Sequence, residues 1–148
     1  MRLADVLDTC RVKTVTVATE VSLAEAARAL HRDDAAAIIV ENGRLRGILT
    51  AGDILRFLTM ATSPTHAWQG PVTAALSEGV EIATPEEPIG RAILKMTAAG
   101  RAHLPIATVA GIVVVSLCRL LLTENAQLHG EVQHLQTYID ELHDAPND

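Results

Sequence analysis

The sequence contains an internal repeat, in which residues of the same chemical class recur at a constant offset of 66 positions. Such a repeat constrains the fold strongly, because each copy has to form the same supersecondary unit. No gap is needed across the matched positions, so the two halves of the chain are predicted to fold alike. The matched pairs are Leu23 with Ile89, Ala26 with Ala92, Leu30 with Met96, Ile38 with Leu104, Thr50 with Ser116, and Leu55 with Leu121.

Each copy begins with a pattern typical of a strand followed by a helix. Alternating β-branched residues predict a strand over residues 14–18, and the matching segment of the second copy is 80–84. Ser22 is a suitable N-cap, with Glu25 three residues later as its partner in a capping box. In the second copy, residues 85–87 suit a first helical turn, since they combine a proline with two acidic residues.

A hairpin and a second helix complete each copy, which gives the order β-α-β-β-α twice. Asn42-Gly43 predicts a two-residue turn with positive φ angles, and the turn of the second copy is predicted to be looser. Gly100 is predicted to end the helix before it. The predicted strands are 36–40, 45–50, 104–107 and 112–116, and the closing helices are 53–60 and the segment from Leu117 onward.

These elements predict an α/β chain of the α+β type with three sequence units. Residues 1–66 form the first copy with its linker, and residues 67–122 form the second copy. The turn-rich linker segment is 61–70 and crosses this boundary. Residues 123–148 form a long C-terminal helix and a tail. Hydrophobic residues make up 49% of the chain but aromatic residues only 2%, so the core is predicted to be aliphatic.

Charge and hydropathy argue against two classes of partner. The net charge is −6 and the basic residues form no run, which disfavours nucleic acid and anionic membrane surfaces. Residues 1–10 lack the apolar stretch of a signal peptide. The apolar segment 111–122 is too short to span a bilayer and contains Arg119. A cytoplasmic protein is predicted.

The sequence offers no pattern for catalysis or for a metal site. The six histidines lack the helical spacing of zinc ligands, and no nucleophile elbow, P-loop or dinucleotide fingerprint occurs. Cys10 and Cys118 form no CxxC pair, so both are interpreted as reduced, buried small hydrophobes. We therefore predict that the chain is not an enzyme and requires no cofactor.

The run Gly43-x-Leu45-x-Gly47-Ile48-Leu49-Thr50-x-x-Asp53 within this element order resembles a CBS domain, and the resemblance covers about residues 3–122. It implies that the two copies pair about a pseudo-twofold axis into one module, often called a Bateman domain. It also implies a regulatory role toward an attached or partner protein whose identity the sequence does not give. The ligands implied are adenosine-containing molecules such as AMP, ADP, ATP or S-adenosylmethionine.

The resemblance assigns ligand contacts in the first copy. Asp53 would accept hydrogen bonds from ribose hydroxyls, and Thr50 would contact ribose or phosphate. Thr16 would lie beside the adenine, in the Thr16-Val17 pair that precedes the motif. A carboxylate can hold two neighbouring hydroxyls, and it is favoured near a helix start. The structural alternatives are an ordinary helix N-cap for Asp53 and an ordinary strand position for Thr16.

The second copy departs from the family pattern. Ser116 matches Thr50, but Arg119 stands at the position of the carboxylate and cannot accept a hydrogen bond from a hydroxyl. We therefore expect at most one ordinary nucleoside site per chain. His103 and Arg101 occupy positions at which some family members place basic residues near ligand phosphates. Their alternative reading is as solvated or paired surface groups.

The C-terminal helix carries a heptad pattern typical of a parallel two-stranded coiled coil. It predicts a homodimer, although Gly130 weakens the helix. One alternative is an amphipathic helix lying on the CBS core of its own chain. A second functional hypothesis is a ligand-free interaction module that dimerises through this helix and through the CBS helices. Asn125, Val132 and Ile139 fall at a positions, and Leu121, Leu128, Leu135 and Leu142 fall at d positions.

Overall fold

The protein, studied as a computed structural model, is described over residues 1–77 and 81–143, so the predicted tail over 144–148 lies outside the described residues. Helices and strands follow one another in an α+β fold, which confirms the predicted class. The strands are β1 (Thr14–Ala18), β2 (Ala37–Glu41), β3 (Leu45–Leu49), β4 (His103–Thr108) and β5 (Gly111–Ser116). The α-helices are α1 (Leu7–Cys10), α2 (Leu23–Arg32), α3 (Ala51–Met60), α4 (Pro64–Gln69), α5 (Ile89–Ala99) and α6 (Leu117–His143).

The three strands of the first copy form one sheet in the order β1-β2-β3. β1 runs parallel to β2, and β2 pairs with β3 in an antiparallel hairpin. Ser22 caps α2, and its Oγ accepts a hydrogen bond from the amide N–H of Glu25 at 3.1 Å. The strands, the helix and the N-cap predicted for this copy are therefore confirmed, whereas the predicted capping box forms in one direction only.

The hairpin turn of the first copy is longer than predicted. Asn42, Gly43 and Arg44 connect the strands, and a register shift lies between Val40 and Glu41. Gly43 adopts a φ of 88°, whereas Asn42 does not enter the left-handed region. The predicted two-residue turn is therefore wrong: the irregular pairing leaves a three-residue connection with one position that needs glycine.

The second sheet contains β4 and β5, joined by a two-residue turn that is tighter than predicted. The predicted strand over 80–84 does not form a regular strand in its described residues, 81–84. There, Ala83 makes one isolated parallel bridge to Ile106. Val80 lies outside the described residues. Pro85 follows directly and has no N–H to donate, so the ladder cannot continue through it.

Helix α5 begins later than predicted. Residues 85–87 form a turn, in which the amide N–H of Glu87 donates to the carbonyl of Thr84 at 3.1 Å. Pro88 is the N-cap of α5 and disfavours helical backbone at the residue before it, so the predicted first turn over 85–87 is wrong. Gly100 ends α5 with a φ of 65°, as predicted.

The predicted linker over 61–70 is partly helical, because α4 lies within it. Ser63 caps α4, its Oγ accepting a hydrogen bond from the amide N–H of His66 at 3.4 Å. Trp68 packs against the core of the first copy, and Val72 is fully buried in that core. The segment therefore belongs structurally to the first copy, and it is not a free connection.

The two copies exchange equivalent segments between their apolar cores. Leu3, Val6 and Cys10 lie near the start of the chain but are buried in the core of the second copy, among residues of α5, β4, β5 and α6. Val72 lies near the start of the second copy but is buried in the core of the first, at the position 66 residues after Val6. This exchange joins the halves into one folded unit. The division into three sequence units stays a prediction.

The two sheets pack against each other through a third apolar cluster. Ala37 and Ile39 on β2 meet Val114 on β5, and all three are buried. Ile48 on β3 is partly buried at the edge of this cluster. The packing brings the end of β3 close to the start of β4, where the candidate site lies.

Helix α6 is continuous from Leu117 to His143, and only its first turns lie on the core. Leu120 is buried, whereas every described residue from Asn125 onward is exposed, so packing of this part on the chain's own core is excluded.

Cys10 is buried and Cys118 is exposed, so the burial prediction holds for the first cysteine and is wrong for the second. None of the helices in the described part of the chain has the length and apolarity needed to cross a bilayer.

Candidate functional site

A cleft of about 480 Å³ lies between the two copies. One wall is the start of α3, with Thr50, Asp53 and Arg56. The facing wall is the segment that joins α5 to β4, with Arg101 and His103. The volume falls within the range of about 300–1,000 Å³ typical of small-molecule sites.

Thr50 and Asp53 form a reciprocal capping box at the start of α3. The Thr50 Oγ1 accepts a hydrogen bond from the amide N–H of Asp53 at 3.2 Å. The Asp53 Oδ2 accepts one from the amide N–H of Thr50 at 2.9 Å. This satisfies two orphan donors of the helix and fixes the carboxylate against its backbone. Thr50 is therefore the N-cap and Asp53 is the third residue of α3, so the interpretation of Asp53 as the N-cap itself is wrong.

The capping role does not exhaust the hydrogen-bonding capacity of Asp53. The Arg56 Nη1 lies 3.4 Å from Oδ1, and the carboxylate has about four acceptor sites in total. Its side chain is 25% exposed and lines the cleft. Acceptor capacity therefore remains available to a bound molecule, so capping and ligand binding are compatible.

The opposite wall is shaped by the end of α5. Gly100 closes the helix in the left-handed conformation, and the amide N–H of Arg101 donates to the carbonyl of Met96 at 2.8 Å. This turn places Arg101 and His103 on the cleft. Burial lowers the pKa of His103 below its usual value of 6.5, and the Asp53 carboxylate opposes this shift. The imidazole is therefore mainly neutral at pH 7.

A second cavity of about 220 Å³ continues the cleft, because Ile48, Ser77, Ala99, Arg101 and His103 line both cavities. Half of its lining residues are apolar, and three carry a charge: Glu81, Lys95 and Arg101. The combined cleft therefore offers both apolar surface and charged groups, which suits a ligand with an apolar part and a polar or anionic part. The additional lining residues are Glu81, Lys95, Met96, Leu104 and Pro105.

Lys95 is held at this wall by an ion pair. Its Nζ lies 2.6 Å from the Glu87 Oε1, and the Glu87 side chain is almost fully buried. The pair fixes the ammonium group, because a buried carboxylate requires a cation close to it. Lys95 therefore lines the cleft as the cationic half of an ion pair, and Glu87 balances its charge.

The structure brings three of the six predicted site residues together at this cleft: Thr50, Asp53 and His103. Thr16 is exposed on β1, and Val17 is half-buried against the first core; neither lines the cleft described here. Arg101, predicted beside His103, does line it.

Ser116 is buried at the equivalent position of the second copy. Its Oγ accepts a hydrogen bond from the amide N–H of Arg119 at 3.0 Å, so it caps α6 as Thr50 caps α3. The Arg119 Nη1 donates to the carbonyl of Arg11 at 2.8 Å. At the position of the Asp53 carboxylate, the second copy therefore has an arginine whose side chain is hydrogen-bonded to the backbone.

The repeat also accounts for the uneven distribution of positive charge. The offset of 66 places Ala35 and Ala37 at the positions that correspond to Arg101 and His103. The counterpart of the described cleft therefore lacks the carboxylate and both of these basic groups.

The sequence reasoning missed four charged or polar groups of the cleft: Arg56, Ser77, Glu81 and Lys95. Arg56 could have been found, because it follows Asp53 by three residues on one helix face. The others come from segments distant in the chain and carry no local signal. In the described ranges, no group of three or more His, Cys, Asp or Glu is placed to hold a metal ion.

Residues 4–59 match the family model of the CBS domain, which covers the first copy. The fold of the whole module resembles a solved CBS-domain-containing protein from Agrobacterium tumefaciens. The two are 23% identical and superpose with a TM-score of 0.71, over 84% of this chain and 99% of that one. Residues 4–59 therefore form a CBS domain, and the chain as a whole has the fold of solved CBS-domain proteins. The second copy is related to the first by the internal repeat.

Other solved CBS-domain proteins share the fold. One comes from Burkholderia ambifaria MC40-6 and is described as having a role in signal transduction. It is 19% identical with a TM-score of 0.67, over 85% of this chain and 95% of that one. The CBS domain pair of protein MJ0100 was solved with 5-methylthioadenosine and S-adenosyl-L-methionine. It is 20% identical with a TM-score of 0.64, over 80% of this chain and 97% of that one. No curated protein matches the chain by sequence.

Proposed function

We propose that this chain is a tandem CBS-domain protein and a cytoplasmic regulatory module that binds an adenosine-containing ligand in the described cleft and signals to a partner protein. The observation that carries the proposal is the placement of Asp53 opposite Arg101 and His103 across one cleft. CBS-domain proteins are generally regulatory, and the proposal gives this chain no catalytic step.

The chemistry of the cleft supports an adenosine compound. The free acceptor capacity of Asp53 suits the two neighbouring hydroxyls of a ribose. Arg101 suits an anionic group, and the apolar surface around Met96 suits a base. The ligands of protein MJ0100 both contain adenosine, which supports the same class of ligand here.

The position of the cleft supports a regulatory role. Asp53 belongs to the first copy, whereas Arg101 belongs to the second, so a ligand that contacts both would tie the copies together. A ligand shifts a conformational equilibrium only by binding one state more tightly than another. Bridging contacts supply such a difference, because they exist only while the two walls keep their spacing.

The alternative is a ligand-free interaction module. It predicts that the wild-type chain binds no adenosine compound, whereas the proposal predicts binding of at least one among AMP, ADP, ATP and S-adenosylmethionine. Calorimetric titration of the full chain with these four compounds separates the two. The observation that favours the alternative is the exposed apolar stripe of α6.

Replacing Asp53 with asparagine should weaken binding of the adenosine ligand about 10- to 150-fold, the loss expected for a hydrogen bond to a charged group. Asparagine keeps an oxygen that can accept the amide N–H of Thr50, so the cap of α3 is largely preserved. The measurement is calorimetric titration, with circular dichroism to confirm that the variant is folded.

Glu25→Gln is the matched control, because Glu25 occupies the equivalent third position of α2 and is exposed. Its affinity should equal that of the wild-type chain. If Asp53→Asn also binds with unchanged affinity, the ligand does not use this carboxylate and the assignment of the cleft is wrong.

Binding of a phosphate-bearing ligand should be accompanied by proton uptake at His103. The unliganded imidazole has a lowered pKa, and an anionic phosphate beside it would raise that pKa. Affinity should therefore increase as the pH falls from about 7.5 to about 5.5. The groups around His103 are Asp53, Arg56 and Arg101, with Lys95 and Glu81 further along the cleft.

The His103→Gln variant isolates this effect, because glutamine keeps hydrogen-bonding capacity and does not titrate. Titrations in buffers with different ionisation enthalpies should show proton uptake for the wild-type chain and less for the variant. The ligand phosphate itself protonates near pH 6 in the titrations of both proteins, so its contribution cancels when their proton uptakes are compared. Equal uptake by the two proteins would exclude His103 from the site.

A further inference from the structure

The exposed part of α6 carries an apolar stripe that the rest of its chain does not cover. Six side chains at a and d positions are each between 45% and 62% exposed. They recur at alternating spacings of four and three residues from Leu121 to Leu142, apart from Asn125, over about 33 Å of helix. They are Leu121, Leu128, Val132, Leu135, Ile139 and Leu142.

We propose that this stripe binds the same stripe of a second copy of this chain, in register, as a parallel two-stranded coiled coil. The residue types argue for two strands, because β-branched Val132 and Ile139 occupy a positions while leucine occupies d positions. The proposal is independent of ligand binding at the cleft.

Asn125 sets the direction of the pair. In a parallel, in-register coil each a residue faces its own copy, so the two amides of Asn125 hydrogen-bond to each other. An antiparallel pairing would place a positions against d positions and bury this amide against a leucine. Because an unpaired buried amide is costly, the sequence favours the parallel arrangement.

The flanking charges are compatible with a second copy. At the positions beside the stripe, Glu124 would face His129 of the partner helix, and Glu131 would face Gln136. Neither pair brings like charges together.

Contacts within its own chain stabilise α6 as a helix before it pairs. Leu120 anchors its first turns in the second core, so α6 extends from a folded unit and escapes much of the nucleation cost of an isolated peptide. Side-chain contacts four residues apart support the exposed turns without using the stripe, for example Gln136 Nε2 to Asp140 Oδ1 at 3.0 Å.

The first test is the mass of the full chain in solution, by sedimentation equilibrium across micromolar concentrations. The wild-type chain should have twice its monomer mass of 15.8 kDa. Leu135→Glu should raise the dimer dissociation constant more than about 100-fold, because two carboxylates would be buried face to face. Thr137→Glu, on the outer face, should leave it unchanged. A monomeric wild-type chain, or a dimer insensitive to Leu135→Glu, overturns the proposal.

The second test measures the relative direction of the two helices, and it does not depend on destabilising the dimer. In a Cys118→Ser background, Val132→Cys should form a disulfide-linked dimer on mild oxidation, because equivalent a positions face each other only in a parallel coil. Thr137→Cys, which points outward, should cross-link far less. A dimer in which Val132→Cys links no better than Thr137→Cys contradicts the parallel register.

Discussion

Replacing Leu3 with alanine should lower the free energy of unfolding by about 2–5 kcal/mol, which is the usual cost of truncating a fully buried leucine. Leu3 has no exposed surface and lies in the second core, although it is the third residue of the chain. The backbone holds it there, because its amide N–H donates to the carbonyl of Glu87 at 2.9 Å. We therefore expect the whole module to lose stability, and not merely its first turn.

Urea denaturation of the full chain measures this change, and Leu55→Ala is the matched control. Leu55 lies on α3 and is 68% exposed, so the same truncation should cost little there. An effect of Leu3→Ala as small as that of Leu55→Ala would show that the N-terminal segment is not part of the second core.

The elements that the sequence predicts correctly are those with a strong local pattern. The first copy follows its β-branched alternation and its Ser22 cap, and Gly100 ends α5 as its type suggests. The errors lie where a neighbouring constraint overrides the pattern. The proline at position 88 shifts the start of α5, and a bulge lengthens the turn around Gly43.

The exchange of segments between the two cores could not be read from local patterns. Val6 and Val72 are ordinary apolar residues in the short 3-10 helices Leu3–Val6 and Val72–Ala75. Periodicity does not say which sheet such a residue will meet. Their equivalence under the offset of 66 suggests that they share a role, but not that each serves the other copy. The long-range backbone hydrogen bonds supply that information.

The candidate site was predictable only in the part that the family motif covers. Thr50 and Asp53 belong to one contiguous run, so one motif identifies both. The positive wall opposite them comes from the second copy, and its prediction depended on the resemblance for Arg101 and His103. Lys95 is oriented by a buried partner in a turn eight residues earlier, which no motif encodes.

The positive charge of Arg101 should raise the affinity of the cleft for phosphate-bearing ligands and have little effect on the affinity for uncharged ones. Replacing Arg101 with alanine should weaken binding of AMP or ATP about 10- to 150-fold, because a charge-assisted contact to phosphate is lost. Binding of 5-methylthioadenosine, which has no phosphate, should change by less than about fivefold, as for an exposed charge. The side chain of Arg101 is exposed, so the variant should fold normally.

Arg28→Ala makes the same change in net charge on α2, where the exposed side chain does not line the cleft. It should leave the affinity for all three compounds close to that of the wild-type chain, which excludes a general effect of charge. An equal loss for AMP and 5-methylthioadenosine in Arg101→Ala would mean that the arginine shapes the cleft without holding a phosphate. Selective loss of the phosphate-bearing compounds would identify the wall formed after α5 as the one that distinguishes anionic from neutral adenosine ligands.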